Sequence, residues 1–246
     1  MENHIGRDFI QQTKYANLEI SPQKMGIPLP PLELPVEKGS QIISLPPGKN
    51  LPLKDIDLKN LIEKRESLRK YADKSLTLEE LACLLWGTQG IKSITDKPLS
   101  KRTVPSAGSR HPFETYLLVN KVEGLVPGLY RYLAISHELA RLPGHEKINQ
   151  SLTEATLQQQ HVKNSAVTFV WVAVPIRTVW RYSQRAFRYL YLDAGHVCQN
   201  LYLLAEAMNC GVCAIAAYDD DLANSAIGVD GEEQFVIYIA SLGKRN

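Results

Sequence analysis

The chain has 246 residues, with 28 Lys and Arg against 26 Asp and Glu, a formal charge of +2, and 44% hydrophobic residues. This length can bury a sizeable core, and a chain so near neutral carries no electrostatic footprint of nucleic acid or an anionic membrane surface. No apolar run approaches the roughly 20 residues that span a bilayer, and the first residues, MENHIGRDFIQQTKYANLEI, lack the apolar centre of a secretory signal. The expectation is a cytoplasmic protein.

Eight of the 14 prolines fall between Pro22 and Pro52, in stretches such as IPLPPLELP and LPPGKNLP. Proline fixes φ and removes a donor, so residues 1–52 read as an extended arm with few ladder bonds. Interspersed Ile and Leu make the arm too apolar for a free linker, so it should lie across the globular body or a partner subunit. Residues 53–246 form the main domain. Leu58, Leu61 and Ile62 have helical spacing after Asp57. Thr77 and Glu80 have capping-box spacing ahead of Leu78, Leu81, Leu84 and Leu85, and Gly87 and Gly90 should end that helix.

Glu114–Asn120 and Leu129–Tyr132 read as strands joined through Val126-Pro127-Gly128. A polar helix is expected over Lys147–Gln160. Ala166–Val174, AVTFVWVAV, has the continuous apolar run of a central strand buried on both faces. From about Gln184 to Asn209, Phe187, Leu190, Ala194, Val197, Leu201, Leu204 and Met208 recur at steps of three and four, as one long helix stripe. Strands at Val212–Ala217 and Phe235–Leu242 follow. Helices and strands alternate without a regular βαβ rhythm, so the fold class is α+β, a mixed sheet flanked by helices.

Cys210 and Cys213 have C-x-x-C spacing, but the pair follows a helix and enters a strand, which favours packing over redox or zinc chemistry. Arg65, Ser67 and Arg69 alternate just past a helix end. If the chain is extended there, two guanidinium groups and a hydroxyl face one way and suit a phosphate. A solvated basic helix end is the competing reading. In Pro105-Ser-Ala-Gly-Ser-Arg-His-Pro112, small residues let a flat ligand approach the backbone, although a plain surface loop has the same composition. Asp193, His196 and Asn200 share one helical face and are expected to hydrogen-bond neighbouring chain rather than hold a metal.

Taken together and in order, KRESLRKY (Lys64–Tyr71), LTLEELACLLWGTQGI (Leu76–Ile91), TVPSAGSRHPFETYLLV (Thr103–Val119), GLYRY (Gly128–Tyr132) and FRYLYLDAGHVCQNLYLLAEAMNCGVCAIAAYDD (Phe187–Asp220) resemble the FMN-dependent nitroreductase superfamily, in particular its SagB-type dehydrogenase branch. The resemblance runs from about Leu53 to the C-terminus. It implies a nitroreductase-like fold with a mainly antiparallel central sheet, and a homodimer with FMN at the interface and the long helix contributing to it. It places Arg65, Ser67 and Arg69 on the FMN phosphate and ribityl chain, with Lys244 and Arg245 near the basic position that completes that site. Pro105, Ser106, Ala107 and Ser109 match a loop that reaches the flavin of the other subunit, and His111 a polar position at the flavin edge. Ile215, Ala216 and Ala217 match the segment whose amides face the ring and its N5.

Two departures from the pattern bear on activity. Ala216 and Ala217 stand where many relatives have Gly. Relatives that oxidise azolines carry a Lys-Tyr pair before the long helix, where this chain has Arg188-Tyr189 with Arg185 one turn earlier. Tyr189 remains a candidate acid or base, whereas arginine stays charged and takes no proton from substrate at neutral pH. The resemblance thus implies hydride transfer through flavin N5 to or from a small organic or peptide-derived substrate, with NAD(P)H a candidate donor. The alternative is a non-catalytic flavin- or peptide-binding subunit of a biosynthetic complex. Tyr182 is a further candidate for the substrate pocket.

Overall fold

The computed structural model describes residues 4–50, 53, 56–95 and 99–246. In chain order the elements are α1 (His4–Gln12), β1 (Gln41–Ser44), α2 (Leu58–Lys64), α3 (Leu78–Gln89), β2 (Ile91–Ile94), β3 (Ser100–Arg102), β4 (Phe113–Val119), β5 (Gly128–Leu133) and β6 (Glu138–Arg141). There follow α4 (Ile148–Ala155), α5 (Gln160–Lys163), β7 (Val167–Ala173), α6 (Ile176–Tyr182), α7 (Ala186–Ala207), β8 (Cys210–Ile215), α8 (Asp220–Ile227) and β9 (Phe235–Lys244).

Seven strands form one sheet in the order β1-β6-β5-β4-β7-β9-β8, with every neighbouring pair antiparallel. Two isolated parallel bridges, Ser67 to Val212 and Leu76 to Val122, make the pairing mixed. β7 lies at the centre and all seven of its residues are buried. Side chains alternate across a strand, so Phe169 and Trp171 join the core under α3 and α7, while Val170 and Val172 join a second core under α4 and α8. The apolar run expected of a doubly covered strand therefore serves an antiparallel one.

Local signals set several helix ends. The Asp57 carboxylate accepts from the Lys59 amide at 3.0 Å and starts α2. Thr77 and Glu80 close a reciprocal capping box on α3, at 3.2 and 3.0 Å. Gly90 ends α3, but Gly87 lies inside it: the Leu204 side chain of α7 fills the space where a Cβ would sit. The polar helix expected over Lys147–Gln160 stops at Ala155, because Leu157 and Gln158 take positive φ, and α5 begins only at Gln160. Short elements with no sustained period went unread: β1, the β2–β3 hairpin, β6, α6 and α8. Tyr182 is the last residue of α6.

The N-terminal segment is extended without ladder bonds only in part, around residues 27–35: His4–Gln12 form the helix α1, residues 22–26 make a turn, and Gln41–Ser44 pair with β6 as an edge strand. Proline-rich backbone has spare carbonyls, and arginines beneath it use them. Arg177 donates to Pro31 O at 2.9 Å, Arg102 to Leu32 O at 3.4 Å, and Arg131 to Leu34 O and Pro35 O at 3.2 and 2.8 Å. Arg177 also pairs with Glu114, both 3% exposed, and Glu114 accepts the Leu34 amide. The segment lies across this chain's own body. Residues 1–3 and 51–52 of the expected arm fall outside the described residues.

Candidate functional site

After α2 the chain runs extended beside β8: the Leu68 amide donates to Val212 O at 2.9 Å. This close approach needs glycine beneath it, since a Cβ on Gly211 would lie 2.3 Å from the Leu68 side chain. Arg65, Ser67 and Arg69 therefore share one side, as alternation requires. The Arg65 guanidinium lies over the Tyr202 ring at 5.3 Å, and the hydroxyls of Ser67 and Tyr202 are 3.0 Å apart. The Tyr202 oxygen also accepts the Ala214 amide at 2.9 Å. Arg69 stands beside the Cys213 thiol, where it opposes the upward push of burial on that group. Among the described residues, no carboxylate pairs with Arg65 or Arg69. Two uncommitted guanidinium groups beside a hydroxyl fit a phosphate.

The C-terminal cations are differently placed. Lys244 pairs with Glu80, and Arg245 forks between Glu66 at 3.0 Å and Glu206 at 2.7 Å. Glu66 alternates with Arg65 and Ser67, so it draws Arg245 to the opposite side of the extended segment. A cavity of about 590 Å³ opens there, lined by Lys64, Glu66, Glu206 and Arg245 but by none of Arg65, Ser67 or Arg69. Lys244 and Arg245 are thus not brought to the Arg65–Ser67 side as free cations.

The second assembly sits nearer the start of α7. Ser106 donates to the Asp193 carboxylate at 2.6 Å, and the Ala107 amide reaches both its oxygens at 3.3 Å. The His111 amide in turn donates to Ser106 Oγ at 2.9 Å. Gly108 and Ser109 both adopt positive φ, +58° and +54°. A Cβ on Gly108 would lie 2.5 Å from the Tyr182 hydroxyl, so the chain admits only glycine there without a shift. His111 is 4% exposed and lies beneath the loop rather than at its surface. Burial, reinforced by the charge of Arg102, pushes its pKa down to about 3, so the ring is neutral. Burial raises the Asp193 carboxyl, against the downward pull of its bonds to Ser106 and Ala107.

Ala214 is tied to Tyr202, Ile215 is buried, and Ala216 and Ala217 emerge exposed from the end of β8. Gln159 donates to Ala217 O at 2.9 Å. Tyr189 lies near the start of α7, beside Tyr182 and away from the Arg65 cluster. Asp193 and Asn200 hydrogen-bond neighbouring chain as expected, Asn200 to Gly87 O at 2.8 Å. All four cysteines are free and buried, and burial pushes the Cys198 and Cys210 thiols up, to about 12 and about 11. Tyr202, the hub of the Arg65 cluster, was missed from sequence because one tyrosine at the edge of an apolar helix stripe carries no signal of its partners.

The profile of the nitroreductase family matches residues 62–244, well over half of the chain. A protein of Methanocaldococcus jannaschii described as a nitroreductase is 34% identical over 169 residues, covering 69% of this chain and 83% of that protein. The trifolitoxin-processing protein of Rhizobium leguminosarum bv. trifolii is 26% identical over 134 residues, covering 53% of this chain and 36% of the relative. A solved structure described as a nitroreductase, from Anabaena variabilis ATCC 29413, superposes with a TM-score of 0.69 at 30% identity, covering 85% of this chain and 42% of that one. The chain therefore spans well under half the length of the last two.

Proposed function

The chain belongs to the nitroreductase family, whose members are FMN-dependent oxidoreductases, and from that premise we propose that it is a SagB-type dehydrogenase working as a homodimer on a small organic or peptide-derived substrate. The observation that carries the reading is the Arg65–Ser67–Arg69 row: cations and a hydroxyl, on one side of an extended segment bridged to β8, with no carboxylate among the described residues to neutralise them. Arg65, Ser67 and Arg69 would hold the FMN phosphate. Ala216 and Ala217, exposed at the end of β8, offer backbone amides to the ring. The loop Pro105–Ser109, with His111 beneath it, would be supplied by the second copy.

That division follows from the helix that bears both assemblies. Asp193 and Tyr202 are nine residues apart on α7, about 13 Å at 1.5 Å per residue. The loop latched at Asp193 and the cations gathered at Tyr202 therefore form two half-sites in one chain. Phe187, Tyr191 and Leu192 are exposed along α7, apolar surface that a second copy would cover.

Bound FMN supplies the hydride acceptor and donor; the protein supplies anchoring, alignment and a proton-handling group. Tyr189 is that group, able to hold or release a proton at its phenol oxygen. The likeness to a trifolitoxin-processing protein supports a peptide-derived substrate. The likeness to the M. jannaschii protein supports a second reading, reduction of a nitroaromatic or quinone by NAD(P)H.

An absorbance spectrum of the purified protein, followed by anaerobic titration with NADH and NADPH, tests the proposal. Flavin peaks that bleach with a nicotinamide favour the reductase reading. Flavin that is bleached only by a candidate substrate favours the dehydrogenase. Flavin that no donor reduces points to a non-catalytic binding subunit. A colourless protein that cannot be reconstituted with FMN overturns the reading.

A further inference from the structure

At the start of α7, the phenol oxygen of Tyr189 is held from two sides. Arg185, one turn earlier and capping the start of α7, donates its Nε–H to that oxygen at 2.9 Å. The hydroxyl of Tyr15, from the N-terminal segment, lies 3.2 Å from it. Arginine can only donate, so the Tyr189 oxygen must accept. Between the two hydroxyls either can donate, so Tyr15 can receive the Tyr189 proton or supply its own.

The surroundings keep the phenol in one place. The Tyr182 ring from α6 packs edge-on against Tyr189, with centroids 4.9 Å apart and planes at 71°. The Tyr182 hydroxyl in turn rests on Gly108, in the loop latched by Asp193. Tyr189 therefore stands one side chain away from the loop assigned above to the flavin site.

Arg185 itself is fixed from the other direction. Its Nη1 donates to Thr13 O at 2.8 Å, and its guanidinium stacks over the Tyr15 ring at 4.4 Å. Arg188, the next cation along α7, bonds Thr13 Oγ1 and Ile10 O and lies over the Phe9 ring. No residue of α1 is buried, so these arginines, not an apolar core, hold the segment on α7.

We infer that Arg185 is the positioning residue for Tyr189, presenting its phenol oxygen as a proton acceptor for substrate, and that the N-terminal segment completes the arrangement through Tyr15. In the step this supports, Tyr189 acts as the phenolate, its own proton having first passed to solvent: an O–H bond forms at its oxygen as an X–H bond of the substrate breaks, leaving its electron pair on the substrate. The inference rests on the dehydrogenase reading for its substrate, but the Arg185–Tyr189 pairing is testable without it.

The charged and titratable groups around the phenol act in a consistent direction. Burial pushes Tyr189 up, but its hydrogen bonds with Tyr15 and Arg185, and the charges of Arg185 and Arg188, outweigh it and hold the phenol below its usual value. Tyr15 moves the opposite way, raised by its bond to Tyr189. From α6 the facing groups are Tyr182 and, over its ring, Arg181.

The test is a pH titration of the full-length, FMN-treated protein labelled with ¹³C at the tyrosine Cζ, followed by NMR. Loss of one resonance in Tyr189→Phe assigns the signal, and flavin absorbance is recorded on the same samples. Tyr189 is expected to titrate below a free phenol, to rise by about one pH unit or more in Arg185→Gln, and to stay low in Arg185→Lys. Tyr15→Phe, which leaves Arg185 in place, should raise it by less. A Tyr189 titration unchanged in Arg185→Gln, or changed no more than in Tyr15→Phe, overturns the inference. Flavin absorbance reports separately on the FMN reading, so either can fail alone.

Discussion

The two ends of α7 solve opposite problems with similar parts. At Asp193 a buried carboxylate accepts the Ser106 hydroxyl and the Ala107 amide of a half-buried loop, so its charge is taken up. At Tyr202 a hydroxyl sits between Ser67 and the Ala214 amide, while the Arg65 charge above it finds no carboxylate among the described residues. A charge-assisted latch fixes backbone; an uncommitted cation waits for an anion. The first end should therefore govern stability and the second should govern binding.

The sharpest way to break that contrast is Asp193→Ala. Hydrogen bonds to a charged group are worth about 1.5–3 kcal/mol each, so the variant should lose about 3 kcal/mol in a denaturant unfolding curve. A loss under about 0.5 kcal/mol, the usual surface value, would mean the loop holds itself. Arg65→Ala should do the reverse, staying within about 0.5 kcal/mol of the parent in stability. Its FMN affinity, measured by quenching of flavin fluorescence, should weaken by about tenfold to a hundredfold, the loss of one charge-assisted contact. Equal affinity would remove Arg65 from the phosphate site.

His111 sharpens the contrast through pH. Its folded pKa of about 3 lies below the ordinary value of 6.5, so between those limits the unfolded chain binds the extra proton. The stability it contributes is present above about 6.5 and is lost as pH falls toward 3, at up to about 1.4 kcal/mol per unit. His111→Gln should flatten that acid-side decline in unfolding curves taken across the window. An unchanged slope would mean the ring is not kept neutral by burial. The smallest effect is expected from Tyr202→Phe, which deletes a hydroxyl but keeps the ring under Arg65. About 1 kcal/mol of stability should be lost, with FMN affinity changed by less than in Arg65→Ala.

Legibility tracked how local each cause was. The Thr77–Glu80 capping box depends on residues three apart and was readable. The run AVTFVWVAV announced the central strand because burial on both faces needs apolar residues at every position. The short β1 was not readable: its four residues are a strand only through pairing with β6, about a hundred residues further along the chain. Gly87 misled as a helix end because its reason is Leu204 of another helix.

The candidate site divides the same way. Its motifs, R-x-S-x-R and P-S-A-G, were plain in the sequence and carried the family resemblance that the profile over residues 62–244 bears out. Which cations stay free was not. Lys244 and Arg245 look available in sequence, and only the folded chain sets Glu80, Glu66 and Glu206 against them.

What the sequence determined by itself was therefore the inventory: a doubly covered central strand, a long amphipathic helix, capped shorter helices, and motif residues of the right chemistry. What only the tertiary structure decided was commitment. It set Asp193 on the loop, Tyr202 under Arg65, Arg185 against Tyr189, and buried arginines under proline-rich carbonyls. Charge and hydrogen-bonding capacity belong to a residue type, but whether they are spent depends on neighbours that are distant in sequence.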